Sequence, residues 1–140
     1  MKRIALFFLI SISFIFGETV GQTTAVVHRS GRTMLYMKGN YVLNANGERI
    51  ARMDNSRYVT IDGYHIGRIE EHTVIRADDV IVGYIKNDTI SSYDGKLLAT
   101  IIGDSVYDHN GDRLVRTFAM ESNQIALWLF FVYLQNPSWW

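Results

Sequence analysis

Residues 90–121 read ISSYDGKLLATIIGDS and then VYDHNGDRLVRTFAME, two 16-residue units that align without a gap. Asp94-Gly95 stands over Asn110-Gly111, Ile90 over Val106, Leu98 over Leu114 and Ala99 over Val115. Working outward, the same clock places Asn46-Gly47, Asp62-Gly63 and Asp78-Asp79 upstream. Four residues before each pair come Val42, Tyr58, Val74, Ile90 and Val106; three after its second member come Ile50, Ile66, Val82, Leu98 and Leu114. A small column follows at Ala51, Gly67, Gly83, Ala99 and Val115. Five units thus repeat in register, and a weaker one precedes them with Val26, Ser30-Gly31, Met34 and Met37. Fixed-period self-similarity is the mark of a repeat architecture.

Each unit reads as two short strands. Asn-Gly and Asp-Gly are the dipeptides that a two-residue type I′ hairpin turn requires, since both residues take positive φ. Asp79 stands where the other units have glycine, so that turn is expected to be strained or of another type. A second polar turn closes each unit, as at Lys38-Gly39-Asn40, Asp54-Asn55-Ser56, Glu71-His72, Asn87-Asp88 and Gly103-Asp104. β-Branched and aromatic runs broken by turns every eight residues predict an all-β meander. A two-residue turn at Asp94-Gly95 puts Ser91 opposite Leu98 and Ile90 opposite Ala99. The turn-distal ends are then apolar on both faces, as in strands buried on both faces. Small residues in one column predict hairpin ends converging on a common axis, polar tips outward, with edge strands hidden by closure.

These units resemble the small exported β-flower proteins, in particular the five-fold type, over about residues 33–118. The resemblance implies hairpins radiating about a pseudo-symmetry axis and no established activity. Tyrosine–aspartate repeats of large surface proteins look similar at Tyr93-Asp94-Gly95 but use a longer period. The fold expected is all-β, 16-residue hairpin repeats arranged about an axis, plus a short C-terminal helix.

The flanks differ from the repeats. Lys2 and Arg3 precede an apolar stretch at residues 4–16, and small residues follow at Gly17 and Ala25. This reads as a signal peptide, residues 1–17, with cleavage as late as residue 25 as the alternative. The hairpin domain is expected over residues 26–118 and an apolar helix over 121–135, capped by Ser122 or Asn123. Ten helical residues cover about 15 Å, half the ~30 Å of a bilayer core. The helix either docks on the hairpins or, helped by Trp128, Tyr133, Trp139 and Trp140, anchors residues 125–140 at a membrane interface.

Composition removes several function classes. No cysteine is present, so disulfides, thiol nucleophiles and cysteine-held metals are out. Without Lys2 and Arg3, twelve basic residues face at most fourteen acidic ones, which denies the chain the basic surplus that nucleic-acid binding uses. His28, His65, His72 and His109 fall in different repeat columns, with no metal-ligand spacing. Asp108-His109-Asn110-Gly111-Asp112 opens like a calcium loop but lacks the sixth-position glycine and the closing glutamate. No nucleophile with an adjacent base appears, so the chain is read as a non-enzyme without catalytic residue, metal or cofactor.

One column carries chemistry: Arg52, Arg68, Tyr84, Thr100 and Arg116, with Arg49 and Arg113 nearby. Converging on one face, Arg52, Arg68, Tyr84 and Arg116 would grip a carboxylate, phosphate or sugar. The expectation is an exported, non-catalytic scaffold or binding module of the cell envelope with a protein or glycan partner. It would be periplasmic, secreted or associated with the outer membrane. The alternative is a peripheral membrane protein held by the C-terminal aromatic helix.

Overall fold

The structure, a computed structural model, describes residues 23–117 and 120–136; the signal-peptide reading and Trp139 and Trp140 lie outside them. Twelve strands follow one another: β1 (Thr23–His28), β2 (Thr33–Lys38), β3 (Tyr41–Asn44), β4 (Arg49–Asp54), β5 (Tyr58–Ile61) and β6 (Tyr64–Glu70), then β7 (Thr73–Arg76), β8 (Ile81–Lys86), β9 (Thr89–Ser92), β10 (Leu97–Ile102), β11 (Ser105–Asp108) and β12 (Arg113–Arg116). Each pairs antiparallel with its sequence neighbours, and β12 returns to β1 with Val115 opposite His28 and Arg116 opposite Val27. The result is a closed barrel of six hairpins. The weak first unit is the sixth: β1 and β2 bridge β12 to β3, so the ring closes through them. Full closure removes every strand edge.

The tips correct the turn assignment. In five hairpins a left-handed residue sits after an ordinary turn: Gly31, Gly47, Asp79, Gly95 and Gly111, with φ of 90, 85, 67, 87 and 84°. Among these pairs the first member stays out of the positive-φ region. The bonds repeat too, as with Gly47 N–H to Asn44 C=O at 2.9 Å and Asn44 N–H to Glu48 C=O at 2.8 Å. This is a type I turn closed by a left-handed bulge residue. Among the six tips only Asp62-Gly63 has both residues positive, at 53 and 80°, as type I′ demands. In several tips the residue two before the pair holds the turn: Asn44 Oδ1 accepts from Asn46 and Glu48 N–H at 2.9 Å each, and Asp108 Oδ1 from Asn110 and Asp112 at 2.9 and 3.0 Å. Such side chains favour turns by capping local backbone.

A second bulge recurs inside every hairpin. Val42 faces Ala51, but Leu43 faces Arg49, leaving Ile50 unmatched. Met34, Ile66, Val82, Leu98 and Leu114 are skipped in the same way. Ile90 therefore faces Ala99 as expected, while Ser91 faces Leu97 instead of Leu98. The apolar run is not buried on two faces. The bulge re-aims one side chain and increases local twist, so Ile50 and Ala51, adjacent in sequence, both pack on the core. Tyr58 also leaves its expected column. The preceding turn is longer by Arg57, so fully buried Val59 faces Gly67.

The core is the C-terminal helix itself. Helix α1 (Ser122–Trp128) runs on as a wider π-helical turn (Leu129–Tyr133), and residues 125–133 are all buried. A helix apolar all round needs apolar neighbours all round; Val26, Val42, Val59, Val74, Ile90, Val106 and Val115 supply them from the barrel wall. Twelve helical residues span about 18 Å and a six-residue strand about 20 Å, so plug and wall match in length. Glu121, rather than Ser122 or Asn123, caps the helix, its N–H donating to Gln124 Oε1 at 2.9 Å. Ser56 Oγ–H donates to Glu121 Oε1 at 2.6 Å and Ser122 Oγ–H to Asp88 Oδ1 at 2.5 Å, fixing the helix start among the inter-hairpin turns. At the far end Asn136 Nδ2 and Gln135 Nε2 donate to the Val132 and Phe130 carbonyls at 2.6 and 3.2 Å. No helix among the described residues is long and apolar enough to cross a membrane.

The small column now has its physical cause. A Cβ on Gly67 would lie 2.2 Å from Phe131 Cζ, and one on Gly83 would lie 2.3 Å from both Phe130 Cζ and the Ser91 carbonyl oxygen. Crowding comes from the helix's phenylalanines, with strand backbone added only at Gly83.

Two outcomes follow for stability. Gly67→Ala and Gly83→Ala should each cost roughly 1–3 kcal/mol by overpacking, measured by chemical denaturation. In a Phe131→Leu background the Gly67 penalty should shrink, because the three atoms nearest to the added Cβ all belong to that ring. In a Phe130→Leu background the Gly83 penalty should persist, since the Ser91 carbonyl remains; equal relief at both sites would contradict this packing.

Asp79→Gly trades a left-handed backbone penalty of about 1 kcal/mol against the exposed Arg68–Asp79 pair, worth ~0–1 kcal/mol. The variant should be as stable as the parent or slightly more so in thermal melts. A clear loss would show that the ion pair governs this turn.

A candidate binding wall

Arg52, Arg68, Tyr84 and Arg116 occupy equivalent places on β4, β6, β8 and β12, opposite Tyr41, Tyr58, Thr73 and Ser105. All four point outward between buried neighbours. Because they sit on separate strands of a closed ring, they are distributed around its circumference instead of sharing one site. Each arginine also has its own acid. Arg52 Nε lies 3.1 Å from Asp54, Arg116 3.5 Å from Asp104, and Arg68 2.6 Å from Glu70 and 3.0 Å from Asp79. Hydrogen bonds to Glu70 and Asp79 push the Arg68 pKa up, keeping it charged and occupied.

The closed topology sorts charge that the sequence scatters. Residues 23–70, which build the half ring β1–β6, hold seven Lys and Arg against four Asp and Glu; residues 71–117, the other half, hold five against eight. On the cationic half a groove of about 440 Å³ runs over β3 and β4, lined by Lys38, Asn40, Tyr41, Leu43, Arg49 and Arg52 among others, with no carboxylate. The Arg49 guanidinium lies 3.9 Å over the Tyr41 ring, a cation–π contact that holds it in place beside the groove. Among the described residues no carboxylate reaches ion-pairing distance of Lys38 or Arg49. A second groove of about 430 Å³ shares Tyr41, Arg49 and Arg52 and adds Thr60 and Asp62.

Of the four site residues read from the sequence, the groove takes in Arg52 alone. Arg49, read as a neighbour, is central to it. Lys38 and Tyr41 were missed, although both flank the turn at Gly39-Asn40. The signal was the alternation in β2 and β3 that sends them outward, hidden while the first unit was read as a weaker one ahead of the five.

Elsewhere the polar groups serve the fold. His28 Nδ1 lies 2.9 Å from Ser30 Oγ, and His65 packs on Tyr58 at 5.8 Å between ring centroids. Among the described residues no three His, Asp or Glu side chains gather as a metal site would need. No protein family, curated protein or solved structure matches the chain.

At the tip end a cleft lined by Arg29, Asp108, His109, Leu114 and Tyr133 reaches the helix. Burial pushes the Tyr133 phenol above its ordinary value of 10.0, with Arg29 opposing the shift and Asp108 adding to it. A folded-state pKa above the unfolded one means stability is whole below pH about 10 and falls as pH rises beyond it. Melting temperature between pH 9 and 11 should therefore drop more steeply for the parent than for Tyr133→Phe; parallel curves would exclude Tyr133 as the cause.

Proposed function

We propose that this protein is an exported, non-catalytic binding module of the cell envelope that uses the cationic half of its barrel as the binding face. The observation that carries this reading is the groove of Lys38, Tyr41, Arg49 and Arg52, where, among the described residues, Lys38 and Arg49 have no acid at ion-pairing distance and Arg52 alone is paired, with Asp54. The filled interior supports it, because helix side chains occupy the place where a barrel of this kind would hold a ligand. Cleavage after Gly17 agrees with a β1 that begins at Thr23, whereas a cut after Ala25 would remove half of that strand.

The finer architecture belongs to the same proposal. We read the ring as a six-hairpin flower about a pseudo-symmetry axis. Skipped residues at Met34, Ile50, Ile66, Val82, Leu98 and Leu114, sixteen apart, support a repeat that includes the first unit. Residues 125–133 are committed to the core, which favours binding by the wall over anchoring by the helix.

Reversing the wall tests the reading. Arg49→Glu with Arg52→Glu should abolish retention of the purified protein by sedimented envelope material at low salt. Reversal of Lys86 and Lys96 on the other half should not. Equal retention of both variants would reject the cationic half as the binding face.

A further inference from the structure

We infer that the two grooves flanking the outward side chains of β4 form one site for a polymer of acidic sugars. The inference rests on the cationic half being the binding face and names what that face takes. Shape comes first. Both grooves are open, lie on the outside of a strand, and share Tyr41, Arg49 and Arg52. A small molecule is usually held in a concave pocket that buries most of its surface; two open grooves that share three lining residues suit an extended chain.

Chemistry selects among extended chains. Arg49 and Arg52 present planar donor forks, which match carboxylates in bidentate fashion, and Lys38 adds a point charge in the first groove. The second groove ends in Thr60 and Asp62. An Asp62 carboxylate accepts hydrogen bonds and repels anions. It offers nothing to a polyphosphate or DNA backbone, whose repeats carry acceptors and no donor. A uronic-acid polymer alternates carboxylates with hydroxyl donors, so it satisfies both the guanidiniums and Asp62. Leu43 and the Tyr41 edge give apolar surface for the C–H faces of the sugar rings.

Asp62 also allows a clean variant. It has φ of 53° in a type I′ turn, a conformation asparagine tolerates, so Asp62→Asn removes the charge and keeps the tip.

The experiment is affinity electrophoresis and titration calorimetry of the folded protein with polygalacturonate, inorganic polyphosphate and neutral dextran at low and moderate salt. Polygalacturonate should bind and dextran should not. Arg49→Ala should weaken polygalacturonate binding about tenfold or more, with Lys86→Ala unchanged and both variants melting like the parent. Asp62→Asn should weaken polygalacturonate and strengthen polyphosphate, because the neutral amide oxygen accepts from hydroxyls more weakly than the carboxylate and the anion repeller is gone. Polyphosphate binding as tight as polygalacturonate in the parent, or an Asp62→Asn gain for both polymers, would overturn the sugar assignment. So would absent polygalacturonate binding. If that occurs while the Arg49→Glu, Arg52→Glu protein still loses envelope retention, the binding face stands and only its ligand is wrong.

Discussion

Everything in this molecule is arranged around the contact between the strand glycines and the phenylalanines of the central helix. Phe131 on Gly67 and Phe130 on Gly83 set how close the wall can come to the plug. Barrel diameter grows with strand number, and a wide barrel without filling would enclose water or a void. Twelve short strands solve this by surrounding a helix. The helix gains as much: its apolar circumference would be insoluble alone, and backbone donors at its start are met by Glu121, itself held by Ser56. Wall and plug therefore depend on each other, and neither half has a core by itself. Trp128 marks the strength of that demand. It is fully buried, and its indole N–H meets no acceptor among the described residues. Leaving such a donor unpaired costs ~1–3 kcal/mol, comparable to what burying one large side chain contributes.

The repeated bulge makes the closed ring affordable for such short strands. A regular six-residue strand such as Arg49–Asp54 would send alternate side chains inward. With a bulge, successive residues such as Ile50 and Ala51 both reach the core. The added twist also helps curve the sheet into closure. The tip bulge at Gly47 and its equivalents acts in concert, because its left-handed residue lets the strand re-enter the ladder shifted by one.

How much of this was legible depends on what kind of signal each feature leaves. Hairpins, their approximate ends and the buried columns at Val42, Val74, Ile90 and Val106 follow from period and residue type, and the structure has them so. The bulges were not legible, because a skipped residue such as Leu98 looks like any strand residue until its partner is known. Turn type was misread because Asn-Gly suits two geometries, and the choice lies with Asn44 or Asp108 two residues earlier. The unit at Tyr58 misled because a one-residue insertion at Arg57 is cancelled by a shorter tip, leaving the turn column in step. The helix was visible, but its place was not: all-round apolarity says that it is covered, and only closure says by what. For the candidate site, the arginine column was real as a column. Its convergence was an error of topology, since equivalent outward positions on a closed ring spread apart.

That topology also explains where function can reside. Inward positions are fixed by packing, and among the described residues no strand is left at an edge to recruit a partner by pairing. Only outward side chains and turns are free to differ between hairpins without disturbing the core. Outward residues opposite one another, such as Tyr41 and Arg52 or Thr73 and Tyr84, vary in type while the residues behind them keep theirs. Positive charge has collected on one half of the ring and negative on the other, although nothing in the packing requires it. A fold that constrains its interior this tightly, yet leaves an uncompensated Lys38 and a stacked Arg49 beside a groove, places its chemical individuality on that wall.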